Sequence, residues 1–267
     1  MGYFNRLREL FFAMRTISTV YGRGSRALLW FRMMMTVMQP RLPKSIRRAQ
    51  RLGLVFEGTP FSVWMLDRTS LAAFEEVFIH GEYFVPDIPA PRIVVDAGAN
   101  IGVASVYFCL RYSGARIYTI EPNPEVLDTL RKNLSVFPNA SVHQCALSDA
   151  DGTIDFHIHP TSSIASSLQS RVSGERIVAV PTKKLDTFMK EQNISEIDLL
   201  KFDIEGAEGR FLGAIKNRQV VRTYVGEIHP DLMHESLEEI RALFAGFSVT
   251  TNPVGSKRFL ITAERSS

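Results

Sequence analysis

The feature that most constrains the fold is a repeated alternation of strand-like and helix-like segments after residue 91. Apolar runs typical of buried strands are followed by patterns typical of helices, which is the signature of βα units and a parallel sheet. The strand-like runs are RIVVDAG, RIYTIEP, SVHQCAL, IDLLKFDI and TYVGEIH, and the helix-like runs are VASVYFCLRY, PEVLDTLRKNL, AEGRFLGAIKN and SLEEIRALFAG. We therefore predict an α/β fold with a doubly wound, mostly parallel seven-stranded sheet that ends in an antiparallel C-terminal hairpin. GTIDFHIH and RIVAVP read as extra strands.

The N-terminal part of the chain differs from the rest in charge. We interpret residues 1–90 as a mainly helical, basic extension and residues 91–267 as a Rossmann-like domain. Residues 1–52 contain eleven Lys and Arg residues and one acidic residue, so their net charge is +10. The net charge of the whole chain is +3, so the remaining residues carry −7. Such an asymmetry favours an anionic partner such as a membrane surface. Two interpretations stay open, namely peripheral membrane contact through residues 1–52 or a basic helix packed on its own domain.

Other features bear on location. The run ALLWFRMMMTVM (27–38) is too short to span a bilayer, which takes about 20 residues. Cys109 and Cys145 both lie in apolar surroundings without a CxxC partner, which indicates reduced thiols of a cytoplasmic protein. The chain has no recognised nucleic-acid-binding motif, so we do not expect nucleic acid as a partner.

A tight glycine turn lies where the first strand of the main domain passes into a helix. Asp96, Gly98, Asn100 and Gly102 form the pattern D-x-G-x-x-x-G. Glycine lets the backbone approach a ligand closely, and a helix N-terminus offers unpaired N–H groups, so the turn predicts a nucleotide-type cofactor site. The spacing differs from the G-x-G-x-x-G of dinucleotide folds, where an Asp would oppose the pyrophosphate. The alternative is a glycine turn that serves packing alone.

A second carboxylate, Glu121, ends the next strand in YTIEP. At that place it can accept hydrogen bonds from both ribose hydroxyls, whereas Asp96 suits a ligand that carries an ammonium and a sulfonium. Together they fit S-adenosylmethionine better than a nicotinamide cofactor. The end of the third strand, CALSD, is expected beside the adenine, with Ala146 and Ser148 as candidate contacts.

These segments together resemble the FkbM family of S-adenosylmethionine-dependent methyltransferases. The matching motifs include VVDAGANIGVAS, IYTIEPNPEVLDTLRKNL, ALSDADGTIDFHI, VPTKKLDTF and IDLLKFDIEGAEGRFLGA. The resemblance implies methyl transfer to an oxygen, often a hydroxyl of a sugar, a lipid or a polyketide-like secondary metabolite. Two other classes of function stay open, namely a nicotinamide-dependent oxidoreductase and a non-catalytic membrane- or partner-binding module with a methyltransferase-like fold.

Transfer to a hydroxyl needs a base within hydrogen-bond reach that takes the hydroxyl proton. At the end of the fourth strand, Asp203 and Glu205 alternate along the chain and so point to the same side. We predict that they position the acceptor or the cofactor, or act as the base. In GEIHP, His229 ends the fifth strand, and its unperturbed pKa near neutrality makes it the preferred proton acceptor.

Metal binding is a weaker hypothesis. His157 and His159 share a strand face, but a third ligand is not evident nearby, so we interpret them as structural or surface residues. Asp203, Glu205 and Glu208 carry oxygen ligands that suit a divalent hard cation. Such an ion is possible but not favoured, and we assign no metal ligand.

Two further segments lie near the expected site. The serine-rich loop TSSIASSLQS has the small polar residues of a mobile lid, and Ser166 and Ser167 are candidates to bind acceptor hydroxyls. An ordinary flexible excursion is the alternative. Tyr83 either covers the cofactor or fills the core, and we favour the core.

Overall fold

The described residues before residue 87 form helices and a β-hairpin. The computed structural model describes residues 11–12, 14–38, 48–86, 88, 90–159, 166–168, 173–254 and 258–266. The elements here are a π-helical turn at Ile17–Tyr21, α1 at Arg26–Met38, β1 at Gln50–Phe56, β2 at Thr59–Met65, and α2 at Arg68–Phe74 with a π-helical turn at Glu75–Ile79. Two strands, β1 and β2, accompany the expected helices, and the mainly helical character of the extension stays a prediction. Any helix expected within residues 1–10 or 39–47 lies outside the described residues.

Local sequence explains how this part is built. Glu57 and Gly58 join β1 to β2 with φ angles of 46° and 81°, the conformation that a two-residue hairpin turn requires. Helix α2 begins with a capping box, in which the Asp67 carboxylate accepts from the backbone N–H of Ser70 at 3.0 Å and the Ser70 hydroxyl accepts from the N–H of Asp67 at 3.3 Å. These two devices fix the position of α2, which contributes to the cavity described below.

The remaining elements follow in chain order. They are β3 at Ile93–Ala97, α3 at Val103–Arg111, β4 at Arg116–Ile120, α4 at Leu127–Leu134, β5 at Ala140–His143, β6 at Ala146–Leu147, β7 at Gly152–Ile158, β8 at Arg176–Lys183, α5 at Leu185–Glu191, β9 at Ile197–Phe202, α6 at Glu208–Ala214, β10 at Val221–Ile228, α7 at Leu237–Ala242, β11 at Phe247–Val254 and β12 at Arg258–Arg265. Among the described helices, not one combines the length and the apolar composition that crossing a bilayer requires.

The main sheet has the predicted form. Its seven strands run in the order β11-β12-β10-β9-β3-β4-β5. The five strands from β10 to β5 are parallel, and β12 lies antiparallel to both β10 and β11. The mostly parallel seven-stranded sheet with an antiparallel C-terminal hairpin is therefore confirmed. The chain proceeds from β3 toward one edge of the sheet and later returns to β9 on the other side of β3, so a crevice forms beyond the carboxyl ends of these two strands.

The segments GTIDFHIH and RIVAVP are confirmed as strands β7 and β8. They belong to a separate three-stranded sheet of order β6-β8-β7. The expected third strand, SVHQCAL, is divided between β5 in the main sheet and β6 in the small sheet. The small sheet therefore starts directly beside the edge where the cofactor was expected.

The described residues form three buried apolar clusters, a small one on β7 and β8 and two larger parts on the two faces of the main sheet. Successive side chains of a strand point to opposite faces, which places Val94, Ile117 and Leu199 in one part and Val95, Tyr118 and Leu200 in the other. The first part also contains buried residues of α1, the hairpin and α2. The boundary predicted between residues 90 and 91 stays a prediction, but the apolar packing is continuous across it.

Candidate active site

The glycine turn after β3 brings the backbone of two strands into close contact. Gly98 has a φ of 75°, and a Cβ atom at this position would lie 1.8 Å from the carbonyl oxygen of Asp203. Only glycine fits there. Gly98 and Asn100 line a cavity, whereas Gly102, with a φ of 86°, does not. A Cβ atom on Gly102 would lie 2.5 Å from Leu130, so this glycine allows α3 to pack on α4. That contact gives Gly102 a packing role, and the cofactor contact expected from the sequence stays a prediction.

Glu121 lies in the wall of the same cavity, at the end of β4. Its two carboxylate oxygens accept hydrogen bonds from the backbone N–H groups of Asn100 and Asn123, each at 2.7 Å. Burial raises the pKa of Glu121 to about 7 although both N–H groups favour the charged form. The carboxylate is thus held rigidly, and each oxygen retains a lone pair for a ligand.

Asp96 lies at the end of β3 but not in the cavity wall. It is fully buried, with Oδ1 3.0 Å from the ammonium of Lys201, and its Oδ2 accepts a hydrogen bond from Ser105 at 2.6 Å. Lys201 also donates to the carbonyl of Gly98 at 2.9 Å. Burial would lower the pKa of Lys201, but Asp96 and Asp203 outweigh it and raise that pKa. The Asp96 carboxylate is thus the counter-ion of a buried lysine, and its expected contact with a cofactor ammonium stays a prediction.

The residues expected beside the adenine are divided by the wall of the cavity. Ala146 and Leu147 in β6 line it. Ser148 is buried outside the wall, where its hydroxyl donates to Asp149 at 2.9 Å and its N–H donates to the carbonyl of Lys183. Ala146 therefore lies where it could contact an adenine, whereas the hydroxyl and N–H of Ser148 bond within the protein, and both expected contacts stay predictions.

A group of charged residues lies in another part of the cavity wall, where β9 and β10 end. The hydroxyl of Tyr83 donates to Glu227 at 3.0 Å and lies 3.5 Å from Asp203. Burial, followed by the charge of Glu227, raises the pKa of Asp203 well above its usual range. Burial would likewise raise the pKa of Glu227, but His229 and Arg258 lower it to about 2. Two neighbouring carboxylates therefore differ in proton affinity, and Asp203 is the more basic.

His229 is held between two carboxylates. Its Nδ1 atom lies 2.9 Å from Glu208, which is fully buried, and its Nε2 atom lies 3.5 Å from Glu227. Burial would lower the pKa of His229, but hydrogen bonds to these two partners outweigh it and raise that pKa to about 11. Both carboxylates thus favour the imidazolium form, in which the ring has no lone pair with which to accept a proton. These contacts oppose the predicted role of His229 as proton acceptor, which stays a prediction.

Arg258 and Glu76 of this group were not identified from the sequence, and Tyr83 was assigned to the core. Arg258, at the start of β12, donates to Glu227 at 2.6 Å and to Glu76 of the π-helical turn at 2.9 Å. Tyr83 was expected to fill the core, and it is buried, but its hydroxyl reaches the site. None of them belongs to a local motif, and Arg258 and Glu76 are 182 residues apart in the sequence. Only the tertiary fold reveals them.

The described residues contain one group with the composition of a metal site. Single ligand atoms of Asp203, Glu205 and His229 lie within 4.8 Å of one another. Both ring nitrogens of His229 already contact carboxylates, which opposes metal ligation by that ring. The Nδ1 atom of His157 lies 3.2 Å from a carboxylate oxygen of Glu175. Divalent-cation binding therefore stays a prediction that is not favoured.

One cavity of about 420 Å³ joins the glycine turn to the charged residues. Ser166 and Leu168 of the serine-rich loop line it, and Ser166 accepts a hydrogen bond from Asn123 at 3.4 Å. Ser167 bridges to His157 of β7 through its backbone. The ionisable side chains in the wall are more acidic than basic, which favours a cationic ligand: Glu76, Glu121, Asp203, Glu205, Glu227 and Asp231 against Lys201, His229 and Arg258.

Comparison with known proteins gives a family. The model described as "Methyltransferase FkbM domain" matches residues 96–249. "Methyltransferase sdnD" of Sordaria araneosa is 30% identical over 188 residues, which cover 58% of this chain and 73% of that protein. "Methyltransferase 1" of Beauveria bassiana is 26% identical over 212 residues, covering 72% and 81% respectively. "2-O-methyltransferase NoeI" of Sinorhizobium fredii is 23% identical over 169 residues, covering 57% and 69%.

Proposed function

Because the chain belongs to the FkbM methyltransferase family, we propose that it transfers the methyl group of S-adenosylmethionine to a hydroxyl oxygen of a small-molecule acceptor. The observation that carries this proposal is the single cavity whose wall includes both Glu121 and the more basic carboxylate, Asp203. Its volume of about 420 Å³ lies in the range typical of small-molecule sites. One cavity can therefore bring a bound cofactor and an acceptor hydroxyl together.

The wall near the glycine turn has donors and acceptors that suit S-adenosylmethionine. Glu121 can accept hydrogen bonds from the ribose hydroxyls while its own position is fixed by two backbone N–H groups. Gly98 allows close approach of the backbone, and Ile120 and Leu147 offer apolar surface for the adenine. When bound, this cofactor supplies an electrophilic methyl group on a positively charged sulfur.

Asp203 is the residue that we propose takes the proton of the acceptor hydroxyl. The two carboxylates beside His229 favour its protonated form, and Glu227 is a weak base because His229 and Arg258 stabilise its charge. Burial and the charge of Glu227 raise the pKa of Asp203, so in its ionised form this carboxylate binds a proton more strongly than an ordinary aspartate does. The hydroxyl of Tyr83, 3.5 Å from Asp203, helps to orient this carboxylate.

Glu205 lies beside Asp203 and completes the acceptor side in this proposal. It has a φ of 53°, an uncommon backbone conformation for a residue other than glycine. Such a conformation is often retained at functional sites. We propose that its carboxylate accepts a hydrogen bond from a second hydroxyl of the acceptor, as expected for a sugar, lipid or secondary metabolite. The name of the Sinorhizobium fredii relative, a 2-O-methyltransferase, supports transfer to oxygen.

The alternatives differ in their consequences. The match to a methyltransferase family decides against the nicotinamide-dependent oxidoreductase. A non-catalytic module would bind S-adenosylmethionine or a partner without forming a product, so only a turnover measurement separates it from the enzyme.

The test uses isotope-labelled S-adenosylmethionine and cell extract as the source of acceptors. We expect a labelled product whose methyl group resists mild alkali, as an ether does. Release of the label by alkali would place it on a carboxylate and contradict hydroxyl transfer. Absence of any labelled product would favour the non-catalytic module.

Asp203→Asn sharpens this test. We expect the rate of labelling to fall by about 10²–10⁴-fold, the usual contribution of a general base, while cofactor affinity changes little. Asp155→Asn is the matched control, since Asp155 is exposed on β7 and absent from the cavity wall. Equal loss in both variants, or none in Asp203→Asn, would exclude Asp203 as the base.

A further inference from the structure

Helix α1 is apolar on two opposite sides. One side packs into the core, and the other is exposed. The residues of the exposed side are spaced by three, three and four positions, which places them along a single helical face. The core side consists of Leu29, Met33 and Thr36, and the exposed side consists of Leu28, Phe31, Met34 and Met38. A surface helix normally has charged residues opposite its core side, so the exposed apolar side calls for a partner.

Two aromatic residues extend this surface. Phe11 stacks on Trp30 of α1 with ring centroids 6.2 Å apart, and both Phe11 and Phe12 are exposed. We define the α1 apolar face as Phe11, Phe12, Leu28, Phe31, Met34 and Met38. It contains six of the nine large hydrophobic side chains that are exposed within the described residues. The apolar exposure is thus concentrated on one part of the surface, and none of these six residues lines the active-site cavity.

The charge around the α1 apolar face has one sign. Residues 10–52 contain no acidic residue. Exposed arginines precede the helix, occupy its first position, and lie just before or within β1: Arg15, Arg23, Arg26, Arg48 and Arg51. An apolar surface with exposed aromatic rings, flanked in the sequence by arginines, has the composition of a segment that lies in the interface of an anionic membrane.

We propose that the α1 apolar face docks on the anionic surface of a lipid bilayer. The apolar side chains enter the boundary between headgroups and acyl chains, and the arginines bind the acidic headgroups. A second copy of this chain is a poorer partner, because a two-fold contact would bring two basic segments together. The proposal concerns a surface separate from the cavity, so it neither supports nor requires the proposed transfer reaction.

The test is co-sedimentation of the full chain with vesicles of phosphatidylcholine, with and without phosphatidylserine. We expect binding only to vesicles that contain phosphatidylserine, and loss of binding as salt is added. Phe31→Glu should weaken this binding by about tenfold or more, because it removes apolar area and adds a repelled charge. Val136→Glu adds the same charge at an exposed apolar position outside the face and should bind as the wild type does.

The remaining outcomes decide against the proposal. Failure of the wild type to sediment with either vesicle, or equal sedimentation of Phe31→Glu, removes the membrane as partner. Equal binding to both vesicle types would show that binding does not depend on anionic headgroups. A dimer in analytical ultracentrifugation that Phe31→Glu abolishes would assign the α1 apolar face to a second copy. Leu28→Glu repeats each measurement if Phe31→Glu fails to fold.

Discussion

The two sides of the cavity are held in place by different kinds of contact. On the cofactor side, Glu121 is fixed by backbone N–H groups of Asn123 and Asn100, only 2 and 21 residues away in the sequence. On the acceptor side, Glu227 is fixed by the side chains of Arg258 and Tyr83, 31 and 144 residues away. The cofactor side is thus built from turns, and the acceptor side from a network of charges that the whole fold assembles.

This difference explains which properties of each side are robust. A backbone N–H group at a strand end keeps its position and charge whatever its neighbours are, so it fixes where a carboxylate lies. In a charged network each group sets the proton affinity of the others. Glu227 and Asp203 are neighbouring acids, but Arg258 and His229 hold the first ionised while burial favours a proton on the second. Substitutions on the acceptor side should therefore change the protonation of the neighbouring carboxylates more than their positions.

The first prediction concerns Lys201, which connects the two sides. Lys201→Met should lower the free energy of unfolding by about 3–5 kcal/mol, because it leaves the charge of Asp96 buried without a partner. Adding Asp96→Asn should restore part of this loss, and the coupling follows from a double-mutant cycle. Urea denaturation measures all three variants. Lys216→Met, at an exposed position, is the control.

The same variants distinguish the two interpretations of Asp96. If Asp96 bound the cofactor directly, Asp96→Asn alone would abolish binding of S-adenosylmethionine, and Lys201→Met would cost little stability. If it is the counter-ion of Lys201, the main effect lies in stability and the two substitutions are strongly coupled. If the effects of Lys201→Met and Asp96→Asn on the free energy of unfolding are additive, the two side chains do not act as an ion pair.

The second prediction tests the cofactor side. Glu121→Gln should weaken S-adenosylmethionine about tenfold to a hundredfold, because it removes charge-assisted hydrogen bonds and turns an amide N–H toward a backbone N–H. Isothermal titration calorimetry gives the affinity. Glu125→Gln is the matched control, because Glu125 lies nearby, is exposed and pairs with Arg176. Equal affinity in the wild type and Glu121→Gln would remove Glu121 from the cofactor site.

The sequence was most informative where structure is local. Hydrophobic periodicity and turn chemistry predict the strand, glycine turn and helix around Gly98 and the acid that ends the next strand. The fold confirms that they lie at one edge of the sheet. Pattern alone did not give β1, because its partner strand makes QRLGLVF a strand. Nor did it give the environment of Asp96, since Lys201 is 105 positions further on. The proton affinity of His229 depends on two carboxylates from different elements, and no motif records that.

The last prediction concerns His229, whose effect is spread over pH. Its pKa is raised to about 11 in the folded protein, against about 6.5 when unfolded. The stabilisation is therefore complete below about pH 6.5 and is lost as the pH rises toward 11, with a slope of up to about 1.4 kcal/mol per pH unit between them. His229→Gln lacks this titration, so the stability advantage of the wild type over the variant should shrink as the pH rises from neutrality. Groups that do not interact with His229, such as Glu121, cancel in this difference, whereas Glu227 and Asp203, whose pKa values His229 lowers, contribute to it. Denaturation curves at several pH values measure it, and NMR offers a check on the wild type alone, in which the His229 ring should stay protonated through neutrality. If the ring titrates near neutrality and the stability curves of the two proteins are parallel, His229 is available as the base. The acceptor side would then be predictable from the sequence to the same extent as the cofactor side.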